Sequence, residues 1–202
     1  MLSQIRQRLE AENIAPVDSG TGGAKAAVLL ALTDNETNPH VILTRRAEHL
    51  SSHSGEVSLP GGKYDLEDET LVNTALRESW EEVGLDPKLV EIISPFKMGR
   101  TYQGMNVAPY VGIVPEKVEL TPNYDELDAI FHLPLKFLLE DERLRTDVFH
   151  RDGRTYWSPA YEYLGFEIWG FTARLLVEFI NSVGGGNICL EHPAPVKEWG
   201  RV

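Results

Sequence analysis

Cysteine is almost missing from this chain: Cys189 stands alone among 202 residues. No internal disulfide can form, which suits a reducing compartment. Positive charge is short as well. Nineteen lysines and arginines face 31 acidic residues, for a formal net charge of −12. That balance works against non-specific binding to nucleic acid or an anionic membrane. Long apolar runs are lacking too. The longest, Ala26–Leu32, falls far short of the roughly 20 residues that span a bilayer. Residues 1–13 are too charged to read as a signal peptide. Repeats and low-complexity stretches are absent. The expectation is a soluble, cytoplasmic protein with no nucleic-acid or membrane partner, built as one domain with terminal extensions.

What is present mixes strands and helices without regular alternation. Residues 3–13 carry Ile5 and Leu9 on one stripe, a short helix for which Ser3 offers a cap. Residues 18–23, DSGTGG, read as a connector. Strands are expected over 25–33, 41–45 and 56–59, then over 89–93 and 96–98 with a break at Pro95. Another is expected over 107–114, with Pro109 pushing part of it to an edge or a bulge. Further strands at 127–133, 146–150 and 155–158 follow, the last two joined by an Asp152-Gly153 turn. A short helix follows Pro134, and a longer one covers 168–182. The tail from Gly184 to Val202 shows no periodicity. The division expected is 1–23, an N-terminal helix and linker; 24–183, the main domain; and 184–202, the tail. The class is α+β, a mixed sheet between helices.

The densest chemistry lies in residues 55–85. As a helix, Arg77-Glu78-Ser79-Trp80-Glu81-Glu82-Val83 puts Glu78 and Glu82 one turn apart, with Glu81 at the edge of that face. Val72, Leu76, Trp80 and Val83 make the expected buried stripe. Gly84 supplies a stop and Pro60-Gly61-Gly62 a preceding turn. Like charges one turn apart repel, so the arrangement gains most if a cation sits there. Hard divalent ions take such oxygen ligands. Arg77, four residues before Glu81, can pair with it and orient it.

Arg77, Glu78, Glu81, Glu82, Gly84 and Leu85 match the Nudix box, Arg-Glu-apolar-x-Glu-Glu-x-Gly-apolar, with Ser79 at its apolar position. The stretch from Gly62 to Arg77 is one residue longer than the general pattern, so Lys63 falls where the glycine is expected by count. This lengthened form, PGGKYDLED…TALRESWEEVGL, resembles the coenzyme A pyrophosphatase branch of the Nudix hydrolases. The likeness extends through LTRRAEHLSSHSGEVSLPGG and EIWGFTARLL, although Ser51 stands where that branch commonly has arginine.

The resemblance implies a Nudix-type α/β/α sandwich and a Mg²⁺- or Mn²⁺-dependent hydrolase. Its substrate would be a small nucleotide: coenzyme A or acyl-coenzyme A, cleaved to 3′,5′-ADP and a 4′-phosphopantetheine. ADP-ribose, NADH, a dinucleoside polyphosphate and a non-catalytic nucleotide-binding role stay open. The metal ligands expected are Glu78, Glu81 and Glu82. Arg77, Glu78, Glu82 and Glu126 are the catalytic candidates, Glu126 by its match to an acidic position after the box, with Asp125 adjacent as the alternative. In so acidic a chain bound divalent cations or a local basic patch must reverse the field to draw phosphate. Arg45, Arg46 and Lys63 are candidates for the patch, with Lys97 and Arg100 nearby. His49 and His53 receive no role. Tyr102, Phe166 and Trp169 are candidates for stacking on a base. A homodimer is expected from the terminal segments and the family.

Overall fold

The computed structural model describes residues 1–16, 23–151, 153–191 and 194–199. The expected connector at 18–23 lies almost wholly outside them, as do Asp152 of the expected turn and the last residues of the tail. In chain order the first eight strands are β1 (Ala26–Thr33), β2 (His40–Arg46), β3 (Val57–Ser58), β4 (Gly61–Lys63), β5 (Glu91–Pro95), β6 (Gly99–Arg100), β7 (Asn106–Val114) and β8 (Leu127–Pro134). Among the described residues they form one mixed sheet. β1 runs parallel to β7 and antiparallel to β2 and β4. A second sheet holds β9 (Arg145–Arg151), β10 (Arg154–Tyr163), β11 (Phe166–Ile168) and β12 (Val196–Glu198). The helices are α1 (Leu2–Glu12), α2 (Leu71–Val83), α3 (Leu135–Glu140) and α4 (Gly170–Phe179).

The unbroken apolar run of β1 has a simple cause: both its faces are covered. Ala27, Leu29 and Ala31 pack with Leu71, Ala75 and Val83 of α2. Leu30 and Leu32 pack with Ile5 and Leu9 of α1 and with Leu176 and Phe179 of α4. Each buried leucine contributes about 1.5–3 kcal/mol relative to exposure. The result is the expected α/β/α sandwich. No helix among the described residues is long and apolar enough to cross a membrane.

Several local expectations need correction. Pro109 lies in an inner strand, between β1 and the β5–β6 edge. It fits because residues 96–98, expected as strand, leave the ladder opposite it. Its carbonyl still accepts from Phe96 N–H at 2.8 Å, so the missing proline N–H costs one bond at the point where the β5 ladder ends. Ser3 does not cap α1. Its N–H and Oγ donate to Glu36 at 3.1 and 2.5 Å. Ile168 belongs to β11 and Trp169 to the cap of α4, which ends in a π-helical turn at Ile180–Gly184.

Both terminal segments fold onto their own chain. The buried Arg143 guanidinium donates to the carbonyls of Cys189 and Leu190 at 2.9 and 3.3 Å. β12 then joins β9 in parallel. Trp199 stacks on Phe149 and on Trp169, with ring centroids 5.9 and 5.1 Å apart.

Candidate active site

α2 starts where the Thr70 side chain accepts Asn73 N–H at 3.3 Å, and stops at Gly84, whose φ is 67°. Its buried face is Leu71, Thr74, Ala75, Ser79, Glu82 and Val83. The expected stripe was rotated: Val72 and Leu76 are half-buried and Trp80 is 53% exposed. The reason is the turn the helix packs on. Ala75 and Ser79 are small, and Ser79 satisfies its Oγ on the Ala75 carbonyl at 2.6 Å. The helix can therefore approach closely and turn its glutamates toward β4 instead of solvent.

Three consecutive positions of β4 meet that face. Gly61 N–H donates to Glu82 Oε2 at 3.0 Å. The Glu78 carboxyl lies so close over Gly62 that a Cβ there would come within 2.3–2.5 Å of it. The carbonyl of Lys63 accepts from Arg77 Nη2 at 3.2 Å. Gly61 itself has φ 150°, and a Cβ there would meet the Ala27 carbonyl oxygen at 2.3 Å.

Arg77 organises the acidic side. It pairs with Glu81 at 3.0 Å, as the spacing predicted, and with Glu78 at 3.0 Å. Its shortest bond, 2.6 Å, goes to Asp68. Asp68 is buried, also accepts from Thr74 Oγ1 and Asp65 N–H, and is held down to about 2 chiefly by the Arg77 bond. This role was missed. The only sequence signal for it was the acidic stretch between the glycines and the helix.

Glu82 is different. Burial pushes its carboxyl up to about 7; the Gly61 bond opposes this, and the charges of Glu78 and Glu126 add to it. Glu78 is also raised, first by burial, against the pull of Arg77. Glu126 belongs to the same electrostatic group, since its charge acts on both. Its loop is tied to the end of α2 by Asn123 N–H on the Glu82 carbonyl at 2.8 Å. Asp125, the alternative, is exposed and its backbone carbonyl faces His49 Nε2 at 3.2 Å.

The basic candidates separate. Arg46 favours ionised Glu82 by its charge, and its Nε is buried with no hydrogen-bond partner among the described residues. Arg45 is not brought to the carboxylates: it pairs with Glu48 and with Asp128 at 3.0 Å, and sits over the Phe166 ring. The Lys63 side chain is exposed at the end of β4. Lys97 reaches Ser182 at 3.3 Å, and Arg100 lines a separate cavity. Phe166 is stacked on Phe131, 4.7 Å away.

The NUDIX domain family matches residues 23–151. The chain belongs to the Nudix family. Among its relatives, Nudix hydrolase 15, mitochondrial, of Arabidopsis thaliana is 38% identical over 176 residues, covering 82% of this chain and 62% of that protein. The chain thus spans about three fifths of the length of that plant relative. The uncharacterized Nudix hydrolase NudL of Salmonella newport (strain SL254) is 36% identical over 162 residues, 79% of this chain and 83% of that one. A MutT/nudix family protein from Enterococcus faecalis shares the fold, with TM-score 0.51 and 15% identity over 87% of this chain and 65% of its own.

Nudix hydrolases generally use divalent cations, and the donor chemistry here fits one. Among the described residues no three His, Cys, Asp or Glu side chains form a finished cage. Mg²⁺ is ordinarily held by one or two carboxylates, with water and substrate phosphate filling the remaining positions. Glu78 and Glu82, with Glu81 and Glu126 beside them, offer that kind of incomplete set. Their mutual repulsion is the field a cation would relieve.

Proposed function

We propose that the protein is a divalent-cation-dependent pyrophosphohydrolase. Its substrate class is a nucleoside diphosphate linked to a second moiety, with coenzyme A or an acyl-coenzyme A preferred. The observation that supports the reaction type best is the group of Glu78, Glu82 and Glu126 beside the Gly61-Gly62 turn, with Glu82 raised to about 7. A bound Mg²⁺ or Mn²⁺ would neutralise diphosphate oxygens and acidify a water. Glu78 and Glu82 are the ligands in this reading, with Glu81 as an outer one oriented by Arg77. Glu126 takes the proton from the attacking water. Arg46, through its unpartnered Nε, and Lys63 contact phosphate oxygens. Water adds to one phosphorus, the bridging P–O bond breaks with its oxygen leaving on the other phosphate, and each product carries one half of the former diphosphate as a terminal phosphate monoester.

The coenzyme A preference is supported by the lengthened PGGKYDLED turn and the LTRRAEHLSSHSGE segment before it. The test is a panel of coenzyme A, dephospho-coenzyme A, ADP-ribose, NADH and a dinucleoside polyphosphate at equal concentration with Mg²⁺ or Mn²⁺, products identified by mass. Coenzyme A is expected to be consumed first, giving 3′,5′-ADP and 4′-phosphopantetheine. First consumption of ADP-ribose or a dinucleoside polyphosphate would overturn the preference and leave the reaction type standing. No cleavage of any of them would overturn both.

A further inference from the structure

A cavity of about 290 Å³ lies away from the glutamates, among β6, β9, β10 and α4. Met98, Tyr102, Phe149, Tyr156, Trp157 and Phe171 supply most of its wall. Its charged neighbours are largely committed. Arg174 pairs with Glu178 at 2.8 Å and lies over the Tyr156 ring, and Arg100 Nε donates to the Gly104 carbonyl at 3.1 Å. An aromatic and thioether wall with its guanidiniums already engaged suits an uncharged chain better than a phosphate.

The cavity is joined to the diphosphate turn by the fold. Gly99 of β6 pairs with Val107 of β7, Val107 with Ala26 of β1, and Ala26 with Lys63 of β4. Three strand spacings separate Gly99 from Lys63, about 14 Å. Gly99 has no Cβ because one would strike the Phe171 ring at 2.5 Å. The next residue, Thr172, donates through Oγ1 to the Val57 carbonyl at 2.9 Å, a few positions before Gly61. The wall of the cavity is thus tied to the strand that leads into the reacting turn. Half of it, residues 156–178, lies beyond the 23–151 stretch that the family shares.

We infer that this cavity is a subsite for the long uncharged arm on the far side of the diphosphate, a pantetheine-type chain of amides and methylenes. The inference rests on the coenzyme A reading above. The separation of about three strand spacings calls for a chain, not a ribose, to bridge from the turn. Met98 is 44% exposed at the rim, so Met98→Trp can fill the space without disturbing the core. Phe171→Ala removes a wall.

Calorimetric titration of 4′-phosphopantetheine and, separately, 3′,5′-ADP into the full chain and both variants tests this. The expected result is 4′-phosphopantetheine binding weakened about tenfold in each variant, the scale of losing a well-packed contact, with 3′,5′-ADP binding unchanged. Should Met98→Trp fail to fold, Phe171→Ala decides alone. Equal 4′-phosphopantetheine affinity in variants and wild type, no binding of it to wild type, or weakening confined to 3′,5′-ADP would each overturn the subsite. Failure of the coenzyme A reading shows separately, as absence of coenzyme A cleavage by the wild type.

Discussion

The two helix-covered faces of the large sheet are finished in opposite ways. Against α2 the polar groups crowd together and almost every one is engaged: Asp68 on Arg77, Glu82 on Gly61, Glu78 over Gly62. Beside α4 the sheet edge opens into a cavity whose aromatic walls leave room, with Arg174 paired to Glu178 and Arg100 bonded to the Gly104 carbonyl. One face is built to hold charge, the other to hold shape. The first lies within the shared family stretch and the second draws half its wall from residues after it.

Breaking the charged face should cost most. Glu82→Gln keeps the shape and the bond from Gly61 but removes an anion; turnover should fall about 10²–10³-fold, the scale of losing one charge-stabilising group. Turnover near normal at saturating Mg²⁺ would take Glu82 out of the metal site. Arg77→Lys loses the planar fork that holds Asp68, Glu81 and Lys63 together. A loss of about 10–100-fold in metal affinity or activity is expected, as for outer-shell partners of a metal. An unchanged metal titration would reduce Arg77 to a structural clasp. Arg46→Ala should raise KM about tenfold, since a bond to a charged group is worth about 1.5–3 kcal/mol, with kcat little altered. A fall in kcat at constant KM would assign Arg46 to the transition state instead.

The smallest effect sharpens the contrast through stability. Glu82 titrates near 7 in the fold against 4.5 as an ordinary glutamate. Between those values the unfolded chain ionises first, so this group's stabilisation is complete below pH 4.5 and is lost as pH rises to 7. Without divalent cation, the wild type should lose roughly 5 °C in Tm relative to Glu82→Gln across that window. Asp68 has the opposite sign: lowered to about 2, it stabilises at neutral pH and loses this as pH falls toward 2. Parallel Tm curves for wild type and Glu82→Gln would show that Glu82 is not raised.

Much of this was legible in the residues. Apolar runs and periodicity, weak in β8, placed β1, β2, β8, α2 and α4, because apolar burial is a local pattern. The Arg77–Glu81 pair was legible because i,i+4 geometry needs no tertiary knowledge. The failures share a cause: each depended on what lay opposite in space. Trp80 scored as core by hydrophobicity, yet α2 turns its small residues inward because the glycine turn admits a close approach. Pro109 was expected to push part of its strand to an edge or a bulge, and its inner place is tolerable because it sits where the β5 ladder ends. Asp68 was one acid among several until Arg77 reached back across nine residues to it. The tail had no period to read, because its anchors are Arg143 and the stacked rings of Phe149 and Trp169, none of them local.

The contact of Glu78 with Gly62 bears on how relatives of this protein should be sorted. The helix glutamates alone would pass a silent member as working. Here the acidic helix is only half of a matched pair, and the other half is a hydrogen atom. A single methyl group at position 62 would occupy the volume of the Glu78 carboxyl itself. A descendant could keep every glutamate, fold normally and still lose its activity through one alanine in the turn. An inventory of intact members therefore has to check for an absence, a missing Cβ, as carefully as it checks for the acids.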